Sequence, residues 1–478
     1  MQYSCVIVGG GIVGCSLFSK LARNGVNVLL VEKGEDVALG ATKANSGIIH
    51  AGYDCKENTL KALLNVKGNK MFSAEARRLK EKINHCGSLV VGDGDSYDAL
   101  LDLYNRGVAN GVKGMKIIKR KAIQRLVPSI AKNIEYALFA KTAKIISPYN
   151  FCIAYAEEGI INGGRLLLNT TVKKSNKEND KFVITLSNNE TITADFVINC
   201  AGAGVNEVSK VFKVEQLPVV LTKGEYMLLD KGENITSLPI FPLPTNKGKG
   251  VLVMPTVSGN TALGPTATDI QTFETAVTNE GIKAIKESVV RSVEGINYRK
   301  VIKLYAGVRV KVGDDFYIKP SEKEDNYIFV AGICSPGLTS APAIADYTFN
   351  MLLEKGLIIN KIQAKQRKAY IKTDKMSAYS LNKLVSKDPS FGRVVCRCEN
   401  ITEGEIKQVL NGPIKNLTTD GVKRRLRTTM GRCQGSFCYP SILEIMSKHY
   451  QTDQKNIKLK SKESVVNGDI KEGGIYEL

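Results

Sequence analysis

Residues 4–32, SCVIVGGGIVGCSLFSKLARNGVNVLLVE, decide the fold of the N-terminal region. An apolar run of strand length leads into Gly9-Gly10-Gly11-Ile12-Val13-Gly14, which fits the pattern G-x-G-x-x-G. A helical stretch follows over about residues 12–24, and a second apolar run ends at Glu32. This order predicts a βαβ unit with two parallel strands, and therefore an α/β fold class with a Rossmann-like domain.

The glycine pattern in this context predicts a dinucleotide site. Gly9 permits the tight turn, and Gly11 lets a pyrophosphate approach the N-terminus of the helix, where the helix dipole is positive. Gly14 allows the helix to pack closely on the strand. Glu32 is placed to accept hydrogen bonds from a ribose 2′-hydroxyl. This string leaves the choice between FAD and NAD open.

The length and composition bound the class of protein. A chain of 478 residues is too long for one compact core, so two or three domains are expected. No run approaches the ~20 apolar residues of a membrane span, so no transmembrane segment is predicted. The eleven cysteines come without a secretory signal, which indicates a reducing, cytoplasmic location.

The charge balance indicates the kind of partner. Lys and Arg outnumber Asp and Glu by 67 to 47, giving a formal net charge of +20. A basic surface attracts small anionic substrates, acidic redox proteins and membrane headgroups, so peripheral membrane contact stays open. No nucleic-acid motif accompanies the charge, and no nucleic-acid partner is predicted.

Four cysteines near the C-terminus have the spacing of a metal site. Cys396 and Cys398 form C-x-C, and Cys433 and Cys438 form C-x₄-C after 34 intervening residues (433 − 398 − 1). Thiolates are soft, charged ligands that bind zinc or iron–sulfur clusters. Zinc is the less favoured occupant because structural zinc sites more often use C-x₂-C.

Three further segments carry a resemblance to a known family: ATKANSGIIHAGYD (41–54), VINCAGAGVNEVS (197–209) and AGICSPGLTSAPAIA (331–345). Together they resemble the D-amino-acid-oxidase-like FAD enzymes over roughly residues 3–350. Within that group they are most similar to glycerol-3-phosphate oxidases and dehydrogenases and to L-2-hydroxyglutarate dehydrogenases. The resemblance implies FAD as cofactor. It also implies a discontinuous FAD-binding domain (1–75, 146–210 and 301–352) with an inserted α+β substrate domain (76–145 and 211–300).

The same resemblance implies the site residues. The cofactor would be lined by Gly9, Gly11, Gly14, Glu32, Thr42, Ser46, Gly47, Val172, Ala201, Gly202, Gly337 and Leu338. His50, one of three histidines, is the expected catalytic base, and histidine suits this role because its pKa lies near 6.5. A small anionic substrate would be bound by Lys249, Arg309 and Thr339. Val310 stands where many relatives have proline, which puts the substrate in question.

The cysteine segment resembles the bacterioferritin-associated-ferredoxin-like [2Fe–2S] domain. The predicted organisation is an FAD-dependent oxidoreductase domain (1–352), a linker (353–390), this small helical four-cysteine domain (391–450) and a polar tail (451–478). FAD and ferredoxin-like domains in this order resemble the catalytic A subunits of anaerobic glycerol-3-phosphate dehydrogenases, and also hydrogen cyanide synthase subunits.

The favoured function is therefore an FAD-dependent dehydrogenase of glycerol metabolism. It would oxidise sn-glycerol 3-phosphate to dihydroxyacetone phosphate and pass electrons through a [2Fe–2S] centre to an acceptor protein or a second flavoprotein subunit. One alternative is oxidation of L-2-hydroxyglutarate or another 2-hydroxy acid. Another, from a different class, is a non-catalytic electron-transfer subunit.

Overall fold

The structure is a computed structural model, and it describes residues 1–233, 235–244, 250–461 and 463–465. The chain separates into two compact units. The first comprises Met1–Glu32 and Val37–Arg367, and the second comprises Lys33–Asp36 and the described chain from Lys368 onward. Within these ranges, no helix combines the length and the apolar character that a bilayer crossing needs.

The described chain contains 22 strands, most of them in the first unit. In chain order they are β1 (Gln2–Val8), β2 (Val28–Val31), β3 (Ile48–Ile49), β4 (Ile83–Asn84), β5 (Ser88–Gly92), β6 (Met115–Lys119), β7 (Tyr136–Ala140), β8 (Lys144–Ile146), β9 (Arg165–Leu167), β10 (Val172–Glu178), β11 (Lys181–Leu186), β12 (Thr191–Asn199), β13 (Val219–Leu229), β14 (Ile240–Pro242), β15 (Leu252–Pro255), β16 (Thr261–Gly264), β17 (Thr268–Ile270), β18 (Val301–Val312), β19 (Tyr317–Pro320), β20 (Tyr327–Ala331), β21 (Val394–Cys396) and β22 (Ile401–Thr402).

Twelve α-helices are present in the described ranges. They are α1 (Ile12–Arg23), α2 (Leu60–Leu79), α3 (Tyr97–Ala109), α4 (Arg120–Leu126), α5 (Pro148–Ile161), α6 (Val205–Val211), α7 (Asn279–Val289), α8 (Gly337–Glu354), α9 (Ala378–Lys387), α10 (Glu403–Leu410), α11 (Thr419–Leu426) and α12 (Tyr439–Tyr450).

The predicted βαβ unit is confirmed and forms the centre of an eight-stranded sheet. Strand β1 pairs in parallel with β2 on one side and with β12 on the other, and β12 pairs in parallel with β20. The β2 strand is buried along its whole length, as expected for a parallel strand covered on both faces. Helix α1 ends at Arg23, Asn24 caps it, and Gly25 has φ +70°, the left-handed conformation that glycine favours.

A second sheet of nine strands is built from β5–β7 and β13–β18. Its longest pairing is antiparallel between β13 and β18, with Tyr226 opposite Tyr305 and Thr222 opposite Arg309. Residues 58–130, which look mainly helical in sequence, contain α2, α3 and α4 but also β5 and β6 of this sheet. The apolar runs of these strands bury their side chains in its core, and this tertiary burial overrides helix propensity.

The second unit is small and mainly helical, in agreement with the predicted fold class. It contains α9–α12 and the short β21–β22 hairpin. A capping box opens α10, because Thr402 and Glu405 bind each other's backbone amides. Residues 353–390 differ from the expected linker: helix α9 forms there, and Arg367 is buried and bonded to Glu157.

Candidate active site and four-cysteine centre

The glycine turn after β1 has the geometry that the sequence predicts. Gly9 has φ +113°, and a Cβ at Gly14 would overlap the carbonyl oxygen of Gly9. The N–H of Gly10 donates to Glu32 Oε2 at 2.6 Å, and the N–H of Ile12 donates to Thr42 Oγ1 at 3.0 Å. Glu32 and Thr42 therefore both bind backbone amides at the start of α1.

Unpaired polar atoms at the start of α5 fit a polar ligand. Ser147 Oγ and Asn150 Oδ1, at the start of α5, are buried and have no hydrogen-bond partner among the described residues. They flank Pro148, which contacts Gly47, and the N–H of Ile146 donates to the Gly47 carbonyl at 2.9 Å. Buried polar groups normally have partners. These two therefore fit a cofactor with many polar atoms, such as FAD.

The other predicted cofactor residues lie at the ends of elements of the first unit. Ala201 and Gly202 follow β12, and Gly202 has φ +58°. Gly337 and Leu338 open α8, so the positive end of a helix dipole lies at these residues. Val172 begins β10. Their contact with a cofactor, like that of Ser46, remains a prediction.

His50 lies directly after β3 and is half-buried. Its N–H donates to Thr339 Oγ1 at 2.9 Å, and its carbonyl accepts from Asn69 Nδ2 at 2.8 Å. Its ring lies 5.7 Å from the ring of Phe241, centroid to centroid. Thr339 is completely buried at the start of α8, so its hydroxyl supports the backbone of His50, a role that the sequence did not predict.

Arg309 lies on β18 and is held by the protein backbone. Its Nη2 donates to the carbonyl of Thr266 at 2.7 Å, and it lies 2.8 Å from the position that a Cβ of Gly224 would take. Lys249, the other predicted cation, lies outside the described residues.

Two tyrosines that are not among the sequence-predicted site residues lie on the same face of the sheet as Arg309. Tyr226 and Tyr305 stack with ring centroids 4.8 Å apart and planes within 5° of parallel. Burial raises the pKa of Tyr226 to about 12, against the opposing effect of Arg309. Counting by twos along β18 from Arg309 reaches Gly307 and Tyr305, so strand periodicity could have identified this face.

The four cysteines of the second unit lie in two pairs, in each of which the two side chains contact each other. Cys398 and Cys433 have their sulfur atoms 3.6 Å apart, whereas Cys396 and Cys438 share a hydrogen bond. Cys396 and Cys438 are buried, Cys433 is half-buried and Cys398 is exposed. In the part of the chain that the structure describes, no three or more His, Cys, Asp or Glu side chains converge as a metal-binding group.

The surroundings of these cysteines nevertheless fit a thiolate-bound cluster. The bond from Cys438 lowers the pKa of the Cys396 thiol to about 6, against the effect of burial. The backbone amides of Gly435 and Phe437 lower the pKa of Cys433, again against burial. A side chain at Gly431 would collide with Cys398. Amide donors aimed at sulfur and close backbone approach suit an iron–sulfur centre.

The glycine turn between β1 and α1, with Glu32 bonded to it, is the arrangement of a dinucleotide-binding protein. Residues 4–351 match the FAD dependent oxidoreductase family, and the chain belongs to it. It is therefore an FAD-dependent oxidoreductase. Residues 394–448 match the BFD-like [2Fe-2S] binding domain. An FAD-dependent oxidoreductase domain followed by a [2Fe-2S] binding domain is the order that the sequence predicts.

Glycerol 3-phosphate dehydrogenases and oxidases are similar to the chain over much of its length. It is 40% identical to a glycerol 3-phosphate dehydrogenase of Caloramator mitchellensis over 466 residues, 96% of each chain. It is 29% identical to a glycerol 3-phosphate oxidase of Mycoplasma pneumoniae, over 73% of this chain and 94% of that one. The solved FAD-bound L-alpha-glycerophosphate oxidase of Mycoplasma pneumoniae superposes with a TM-score of 0.71 at 26% identity, covering 74% of this chain and 95% of that one.

Proposed function

We propose that this protein oxidises sn-glycerol 3-phosphate to dihydroxyacetone phosphate. The observation that carries the proposal is the fixed, half-buried position of His50, whose N–H and carbonyl are both held by side chains. The family membership and the similarity to a glycerol 3-phosphate dehydrogenase along nearly the whole chain support the choice of substrate.

In the proposed reaction, bound FAD would supply the acceptor for the hydride that leaves the alcohol carbon. His50 takes the proton from the hydroxyl oxygen as the carbonyl forms, so the substrate loses one hydride and one proton. Arg309 binds the substrate phosphate with its planar guanidinium, which suits phosphate oxygens. Lys249 is proposed as a second cation at the phosphate. The Tyr226–Tyr305 stack forms an apolar wall on the Arg309 face.

For the second unit, we infer that Cys396, Cys398, Cys433 and Cys438 hold a [2Fe–2S] cluster. A bound cluster would carry single electrons away from the first unit's reaction toward an acceptor protein or a second flavoprotein subunit. The backbone amides at the Cys433 sulfur, the lowered pKa of Cys396 and the lack of a side chain at Gly431 support this inference, as does the match to a [2Fe-2S] domain. Zinc is the alternative occupant, and iron, labile sulfide and zinc analysis of the purified protein separates the two.

The experiment that tests the substrate is anaerobic mixing of the flavin-loaded protein with a substrate panel. We expect sn-glycerol 3-phosphate to bleach the flavin absorption band faster than L-2-hydroxyglutarate does. Faster bleaching by the hydroxy acid would overturn the proposal in favour of the 2-hydroxy-acid alternative, in which Arg309 binds a carboxylate. Unchanged activity after His50→Ala would favour the non-catalytic alternative.

A further inference from the structure

Asn69 connects helix α2 to the segment that carries His50. It lies in the middle of α2, and 4% of it is exposed. Its Nδ2 donates to the carbonyl of His50 at 2.8 Å and to the carbonyl of Thr142 at 2.9 Å. Its Oδ1 accepts from Lys144 Nζ at 2.9 Å. Both amide hydrogens and the amide oxygen are therefore used.

The partners fix which way this amide points. A flipped Asn69 would place its NH₂ against the ammonium of Lys144 and its oxygen against two carbonyl oxygens, so every contact would be repulsive. The network of donors and acceptors thus assigns the orientation without ambiguity. In that orientation the amide holds the carbonyl of His50.

Lys144 is an unusual residue to find here, because it is 6% exposed. Its ammonium donates to the Asn69 carbonyl at 3.0 Å, to Asn69 Oδ1 and to the Thr142 carbonyl at 3.1 Å. All three are neutral oxygens, and burial lowers the pKa of Lys144 to about 8. A buried ammonium costs free energy, which its three hydrogen bonds offset in part.

Thr339 binds the second polar backbone group of His50, its N–H. Its hydroxyl accepts from the N–H of His50, so side chains from α2 and α8 hold the two polar backbone groups of the same residue. We propose that Asn69 is a positioning residue for His50, and that Lys144 keeps the Asn69 amide in the required orientation. The inference rests on the proposed role of His50 as the proton acceptor.

The test compares three variants of the full-length, flavin-loaded protein. Asn69→Asp keeps an acceptor for Lys144 but loses both donors, and Asn69→Leu loses all three bonds at similar volume. Asn162→Asp is the matched control, because Asn162 Nδ2 also donates to two backbone carbonyls, those of Glu158 and Lys365, neither of which lies in the segment that carries His50.

We expect both Asn69 variants to lower the limiting rate of anaerobic flavin reduction roughly 10- to 100-fold, since small displacements of a catalytic group have effects of this size. The substrate concentration at half-maximal rate should stay within about twofold, and flavin content should match the wild type. Asn162→Asp should keep the wild-type rate. A wild-type rate in Asn69→Asp, or an equal loss in Asn162→Asp, would overturn the proposal.

A second readout does not depend on turnover. With three histidines in the chain, the imidazole resonances of His50 are resolvable by NMR. Asn69→Asp should shift the His50 resonances and leave those of His449 in place. Unchanged His50 resonances would contradict the proposal that Asn69 positions His50. If glycerol 3-phosphate fails to reduce the wild-type flavin, the substrate proposal fails by itself, and the variants are compared with whichever panel substrate does reduce it.

Discussion

The guanidinium of Arg309 lies across Gly224, with Nη2 only 2.8 Å from the place where a side chain at position 224 would begin. The two residues lie on paired strands, and the Thr266 carbonyl holds Arg309 in this position. The missing side chain of Gly224 is thus a condition for the placement of the proposed phosphate ligand.

Replacing Gly224 with alanine should displace Arg309 and weaken substrate binding. The added methyl group also meets Pro265, so a cost of about 1–3 kcal/mol is expected. The substrate concentration at half-maximal flavin reduction should rise about tenfold, with a smaller change in the limiting rate. Arg309→Lys keeps the positive charge but loses the planar guanidinium that can bind two phosphate oxygens at once, so it should give the same pattern. A lower limiting rate at unchanged half-saturation would contradict this role.

Removing the imidazole of His50 should slow flavin reduction without releasing the flavin. His50→Ala is expected to lower the limiting rate about 10²- to 10⁴-fold, the usual contribution of a positioned base. Stopped-flow absorbance after anaerobic mixing gives the rate. His449→Ala, in the second unit, serves as the control, and an equal loss in that variant would indicate a general defect.

A side chain at Gly14 should abolish cofactor binding. Because a Cβ there would overlap the Gly9 carbonyl, Gly14→Ala must separate α1 from β1. We expect the purified variant to contain little FAD, measured by absorbance after denaturation. Gly204→Ala adds a methyl group whose nearest neighbour is 3.4 Å away, so it should retain the cofactor.

Serine at Cys398 or Cys396 should remove iron and labile sulfide and leave FAD in place, because the cysteines belong to the second unit. Cys86→Ser, in the first unit, should keep the full iron content. Retained iron in both ligand variants would refute the assignment of these cysteines. Zinc in place of iron in the wild-type protein would point to the alternative occupant.

Asp36 should stabilise the second unit in a pH-dependent manner. It is 1% exposed and binds both Arg424 and Arg425, at 2.8 and 2.7 Å. Burial opposes its ionisation, but Arg425 and then Arg424 outweigh that effect, and the net result is a lowered pKa of Asp36. Asp36→Asn leaves two buried cations without this carboxylate, which costs about 3–5 kcal/mol.

The sign of the pH dependence follows from the lowered pKa. The contribution of Asp36 is complete above its unfolded pKa of about 4 and is lost as the pH falls through the lower folded pKa. The difference between wild type and Asp36→Asn, measured by hydrogen exchange of the α11 amides, should therefore be largest near pH 7 and shrink below about pH 4. The exposed Asp95→Asn should have little effect at either pH.

The features that the sequence predicted are those that depend on residues close together in the chain. The βαβ unit, the glycine turn and Glu32 are close in the chain, and their periodicity and spacing specify them. The pairing of β13 with β18 joins residues about 80 positions apart, so no local signal indicates that Arg309 would lie over Gly224. No local pattern distinguishes Asn69 from other polar residues of a helix. Only the fold brings its amide to His50 and gives the Thr339 hydroxyl its partner.

The segment Lys33–Asp36 limits how the second unit can be produced in isolation. The unit takes its buried carboxylate from Asp36, more than 300 positions before its own first helix and four residues after Glu32. Excised as residues 368–478, the unit would carry two interior arginines whose shared counter-ion is encoded elsewhere. No single continuous stretch of the chain therefore contains all of the residues that form the interior of this unit.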